Sequence, residues 1–174
     1  MFFKPQSCVG IAIGHNRLQL VTIAKKKKAL VITGLAAACG RALCMSLREI
    51  LPYCMAKKAV LSIPLDMVLQ KNMSIAPALT ALELEYEVKN TLSRIIPQYE
   101  QGDFFDFSRQ KTEPSLLTVV VVKQKNLGPF LESLNFHNIA VETIRIATPS
   151  SFSHHPEKLP ALFLPAYHLA LQGF

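Results

Sequence analysis

The sequence has no tryptophan, and only 12 acidic residues stand against 19 lysines and arginines. The acid deficit leaves a formal charge of +7. Such a surplus favours acidic partners: nucleic acid, anionic lipid or an acidic protein. Few aromatics lie beside basic residues and no known nucleic-acid-binding motif occurs, so no direct nucleic-acid contact is expected. Long apolar runs are also missing. The longest are Leu116–Val122, with Thr118 inside, and Ala161–Leu171, broken by Pro165 and His168. A membrane-spanning helix needs about 20 apolar residues, so none is expected. The opening Met1-Phe2-Phe3-Lys4-Pro5 lacks a charged stretch followed by an apolar core, so it does not read as a secretory signal. A cytoplasmic chain is expected. The four cysteines, Cys8, Cys39, Cys44 and Cys54, include no CxxC pair and none stands at a zinc-ligand interval from a histidine. No metal is expected. The cysteines read as small buried hydrophobes in a reducing compartment.

What is present is apolar: 50% of the 174 residues, with 18% charged. That suffices to offset ordering entropy and fits one domain, in up to two subdomains. One charge run stands out, Lys25-Lys26-Lys27-Lys28. It reads as a solvated hairpin tip or as a contact to an anionic inner leaflet, which attracts basic segments at roughly 1 kcal/mol per residue.

Val9–Ile13, Leu18–Ala24 and Ala29–Thr33 are short apolar runs separated by turn-like residues, the pattern of a β-meander with an Ala-rich exit between Gly34 and Gly40. Leu43, Leu47, Ile50, Leu51 and Cys54 recur at helical spacing, and Pro52 should end that helix. Ala59–Ile63 reads as a strand and Val68–Ile75 as extended. Thr80 and Glu83 form a capping box ahead of the stripe Leu84, Val88, Leu92, Ile95. Phe104–Phe107 and Leu116–Val122 read as strands, the second a buried central one. Asn126 should cap a helix that holds Pro129 in its first turn. Val141–Ile146 alternates with period two, as a half-buried strand does, and an apolar helix follows. This mixture of strands and helices predicts an α/β or α+β domain.

Catalytic constellations are weak. Ser62 lacks a nucleophile-elbow context. Asp103 and Asp106 read as a turn residue and a strand-edge residue, and Asp66 as a turn residue. His154 and His155 read as solvated loop histidines, and His137 as a helix-end cation.

The serial order of several short motifs resembles the PilM family of type IV pilus assembly proteins, relatives of the actin-like cell-division protein FtsA. Val9-Gly10-Ile11-Ala12-Ile13-Gly14-His15 is similar to that family's first phosphate loop. Ala59–Pro64, Ile96-Pro97 and Phe105-Asp106-Phe107 are similar to its Ile-Pro strand end, its long-helix exit and its next strand. Val119–Lys123 and Val141–Ile146 follow in order, and Ala166–Gly173 resembles its last helix. The resemblance runs over residues 8–150. It implies one lobe of an actin-like (ribonuclease H-like) fold with an inserted β-α-β-β-α subdomain over residues 66–137, the core comprising 1–65 and 138–174. Family members are about twice as long, so the resemblance implies a shortened form without the second lobe.

The departures matter for chemistry. Ala12 stands where the family has an aspartate, His15 and Asn16 where it has loop serines, and Gln19 near its usual lysine, while Gly14 remains. No ATP cofactor and no enzymatic activity are therefore expected. The resemblance implies an adaptor in a type IV pilus, competence or type II secretion machine, peripheral to the inner membrane. It would bind the cytoplasmic N-terminal tail of a PilN-like membrane protein in a groove between the two subdomains. Ile63, Leu65, Phe136 and Ile144 are the expected apolar contacts and Arg145 a polar anchor. Lys25–Lys28 would face the membrane. A lobe left without its mate would expose an apolar face, so self-association through Leu162, Phe163, Leu164 and Tyr167 is expected. Two other readings stand beside this one: a degenerate ATP-binding protein that completes its cleft by oligomerising, and a nucleic-acid-associated competence protein.

Overall fold

The computed structural model describes residues 6–26, 29–40, 43–76, 78–110, 112–147, 159–160 and 163–173. The chain divides into two compact units, Met1–Leu65 with Pro129–Phe174, and Asp66–Gly128.

The core unit starts as the expected meander, β1 (Ser7–Ile13), β2 (Arg17–Lys26) and β3 (Ala29–Cys39). Seven consecutive residues of β2, Leu18–Ala24, are buried, because both faces of the sheet are covered. The alanines expected to leave the meander remain in β3, with Ala36 opposite Leu20 and Ala38 opposite Leu18. A register shift at Thr22/Ile23 lets the strand continue, and the small side chains leave room for α1 (Leu43–Ile50), which lies against β3. Pro52 ends that helix as expected, in a single 3₁₀ turn. β4 (Lys58–Ile63) then pairs parallel to β1.

The second unit holds β5 (Val68–Ser74), α2 (Ala81–Ile95), β6 (Phe104–Arg109) and β7 (Leu116–Val122), with the strands ordered β5-β7-β6. Thr80 and Glu83 cap α2 reciprocally. Leu84, Val88 and Leu92 bury against Leu117, Val119 and Val121 of the central β7.

α3 (Gln124–Phe136) carries the chain from one unit to the other. It begins two residues before the expected cap, Asn126, so Pro129 sits in the second turn rather than the first. The cap comes from far along the chain, since the Gln124 amide donates to the Asp103 carboxylate at 2.9 Å. The core unit resumes at Pro129, nine residues before the expected boundary at 138. The last two turns of α3 explain this: Leu134 is buried, and Arg48 Nε donates to Ser133 Oγ at 3.2 Å.

β8 (Ala140–Ile146) then pairs parallel to β4 and completes a sheet ordered β3-β2-β1-β4-β8. Finally α4 (Leu164–Leu171) crosses β1, β2 and β4. Ala166, Leu169 and Ala170 join Cys8, Ala12, Val21, Ile23 and Val60 in one cluster. The approach is so close that a Cβ on Gly10 would overlap the Ala166 carbonyl oxygen and the Ala170 amide nitrogen. The glycine that resembled part of a phosphate loop thus serves helix packing.

The cysteines meet the expectation of burial only at Cys8. Cys8 is buried, Cys44 and Cys54 are half-buried and Cys39 is exposed at the rim of β3. Burial, with the Glu142 charge adding to it, pushes the Cys8 thiol up to about 11.

Candidate functional site

The β1–β2 turn and the C-terminal ends of β1 and β4 border a concave pocket of about 440 Å³. His15, Asn16, Arg17, Gln19 and Ser62 supply its polar lining. Gln19 and Ser62 are buried. This is where the resemblance would put a metal-bound nucleotide, and the residues do not fit that group. The lining contains no carboxylate among the described residues, and Ala12 contributes only a methyl. The Gly14 amide is already engaged, donating to the Arg17 carbonyl at 2.7 Å to close the hairpin. A phosphate cradle needs such amides free to face the anion. The pocket therefore suits a small polar guest or water better than a metal-bound polyphosphate.

β8 is the second feature. Among the described residues it has a neighbour on one side only, β4, so its outer row of backbone donors and acceptors is unpaired within the described sheet. Five of its seven residues are exposed, which corrects the half-buried expectation: no helix covers this margin among the described residues. Register fixes where its side chains point. Ile144 sits opposite Leu61 and Arg145 opposite Ser62, so the two lie on opposite faces of the sheet.

The expected tail contacts are thus not one cluster. Ile63 is 1% exposed and belongs to the core. Leu65 follows β4 and is 61% exposed, at the same sheet end as Ile144, which is 39% exposed, and Arg145. Phe136 is 80% exposed but precedes β8. Because β4 and β8 run parallel, Phe136 stands a strand length of about 20 Å from the Leu65 end. Sequence adjacency could not reveal this, since it depends on the parallel crossover.

The expected self-association residues are also reassigned. α4 lays them on its own sheet: Leu164 is buried, and Phe163 and Tyr167 pack against the Cys8–Ala170 cluster. Leu162 lies outside the described residues. Among the described residues β3 exposes apolar side chains instead, at Leu30, Val31 and Leu35. Lys25 and Lys26 are exposed at the end of β2, while Lys27, Lys28, His154 and His155 lie outside the described residues.

Asp103 proves to be more than a turn residue. Its buried carboxylate accepts from Lys123 Nζ at 2.8 Å, from the Glu100 amide at 3.0 Å and from the Gln124 amide. Burial works against its charge, yet Lys123 and the two amides outweigh burial and hold its carboxyl below the usual range. Asp106 is exposed and accepts from its neighbour's amide, that of Phe107, at 2.8 Å. His137 stacks edge-on against Phe136 at 5.2 Å. Sequence reasoning missed Tyr53 and Met55, large apolar residues exposed beside β4; their position just past the proline-terminated helix was the available signal.

No protein-family model matches the sequence, and no curated protein does. Solved structures do. The cytoplasmic domain of EpsL, an inner-membrane component of the type II secretion system of Vibrio cholerae, superposes with a TM-score of 0.59 at 16% identity. That match covers 83% of this chain and 61% of the other. The PilM–PilN type IV pilus biogenesis complex gives a TM-score of 0.59 at 17% identity, over 80% of this chain and 47% of the other. The chain therefore spans about half to three-fifths of the length of these neighbours. At such identities the likeness is one of fold: the chain has a mixed α/β, actin-like fold.

Proposed function

We propose that this protein is a non-enzymatic adaptor of a type IV pilus or secretion platform, cytoplasmic and peripheral to the inner membrane. In that role it docks the cytoplasmic N-terminal tail of a PilN-like membrane protein. The observation that carries the reading is the unpaired outer edge of β8, flanked by Leu65, Ile144 and Arg145. An extended peptide can add as a further strand to such an edge, its main chain supplying affinity and its alternating side chains specificity. The opposite facing of Ile144 and Arg145 suits this mode, because a paired strand presents side chains to both faces. The fold shared with the EpsL domain and the PilM–PilN complex supports the same kind of platform. The poor fit of the Gly14 pocket to a metal-bound nucleotide supports a binding rather than a catalytic role.

Calorimetric titration with the N-terminal peptide of the PilN-like protein of the same organism tests this. Saturable one-to-one binding at micromolar affinity is expected, weakened at least tenfold, about 1.4 kcal/mol, by Ile144→Asp. Absence of heat at high peptide concentration, or an Ile144→Asp isotherm equal to wild type, would sink the reading.

A further inference from the structure

One end of the core sheet gathers cations and large apolar side chains that the core does not use. The placement follows from short links. The Lys25 amide donates to the Gln6 carbonyl at 2.8 Å, and Ser7 pairs with Ala24. The Ser7 hydroxyl donates to the Met55 carbonyl at 2.9 Å. Two residues on, the Lys57 carbonyl accepts from the Ala140 amide at 2.9 Å, and Phe136 closes α3 just before Ala140. The end of β2 and the starts of β1, β4 and β8 therefore share one margin. It is three strand spacings wide, about 14 Å.

Along this margin Tyr53, Met55 and Phe136 are 85%, 86% and 80% exposed, and Lys25, Lys26 and Lys57 are exposed as well. The acid at the start of β8, Glu142, is already paired with Lys58. A single exposed apolar residue is ordinary, but three of them among lysines on one margin have the composition of an interfacial surface. Apolar groups of this size enter the headgroup–acyl boundary while lysines meet the phosphates. A nucleic-acid backbone would satisfy the lysines and leave the three apolar groups without contact.

We propose that this margin docks on an anionic lipid bilayer, with Lys25, Lys26 and Lys57 against phospholipid headgroups and Tyr53, Met55 and Phe136 at the acyl boundary. The docking requires no tail peptide and stands independently of the adaptor role.

Co-sedimentation of the full chain with vesicles of phosphatidylglycerol and phosphatidylethanolamine, against vesicles of phosphatidylcholine, tests it. Binding to the anionic vesicles only is expected, weakening as salt rises. The double variant Lys25→Gln/Lys26→Gln should lower partitioning on the order of thirtyfold, from the contribution of two surface lysines. Tyr53→Ser/Met55→Ser should lower it roughly tenfold or more, through lost apolar burial. Both pairs are exposed, so circular dichroism should be unchanged. Lys71→Gln, an exposed change in the second unit, should partition as wild type. Equal binding to phosphatidylcholine overturns the proposal, as does wild-type partitioning by either double variant. Binding to a short DNA duplex without vesicle binding, unaffected by Tyr53→Ser/Met55→Ser, also overturns it and assigns the margin to a polyanion.

Discussion

Gly10 illustrates how one absent methyl group positions a helix. Its α-carbon lies under the Ala166 carbonyl and the Ala170 amide, and backbone atoms cannot rotate aside as a flexible side chain can. Gly10→Ala must therefore push α4 off β1. Overpacking of this kind costs about 1–3 kcal/mol, occasionally more, and the upper part of that range is expected here. The urea midpoint of the core unit should fall accordingly; a midpoint equal to wild type would show that α4 has room to shift. The resemblance placed Gly10 within a phosphate-loop motif, and a glycine in a strand-turn motif signals close backbone approach without saying to what. In the fold the approaching backbone is the protein's own.

Among the elements, those defined by neighbours in sequence were legible, and those defined by distant residues were not. The capping box of α2 involves residues three apart, so Thr80 and Glu83 announced the helix start correctly. The start of α3 depends on Asp103, 21 residues upstream, and no local pattern carries that information. The same dependence gives α3 a pH response. The folded carboxyl of Asp103 titrates below its ordinary range, so its stabilisation is present above about pH 4 and is lost as pH falls through the folded value. Asp103→Asn should cost about 2 kcal/mol at neutral pH, since Lys123 and the Gln124 amide lose their charged acceptor. It should also flatten the acid limb of the stability–pH curve; a limb of unchanged slope would refute the assignment. β8 shows the complementary failure. Its period-two pattern identified a strand, but at the margin of a sheet one face needs no cover, and periodicity does not report position within a sheet.

At the scale of the whole molecule, the order of elements was readable because each is short, strongly patterned and bounded by proline or polar turns. The grouping of candidate residues was not, because parallel crossovers send Leu65 and Phe136 to opposite ends of the same strands. Each unit also carries its own apolar cluster, which predicts separable local stability. Leu92 is fully buried within the second unit, so Leu92→Ala should cost about 2–5 kcal/mol there. Native-state hydrogen exchange should then show reduced protection for the amides of β5, β6 and β7, with those of β1 and β2 nearly unchanged. Equal loss in both sets would mean that the two clusters melt as one.

The position of α4 has a further consequence for how the protein comes to be made. Its contacts tie residues 164–171 to β1 and β2, which leave the ribosome roughly 150 residues earlier. At synthesis rates of about 5–20 residues per second, the β1–β2 hairpin waits roughly eight to thirty seconds for the helix that covers Val21, Ile23 and the Gly10 groove. Hairpins form in about 1–10 microseconds, far faster than that interval, so the hairpin has every chance to form and α4 is what it lacks. Covering of the hairpin is thus a late event of synthesis, set by the position of α4 in the chain.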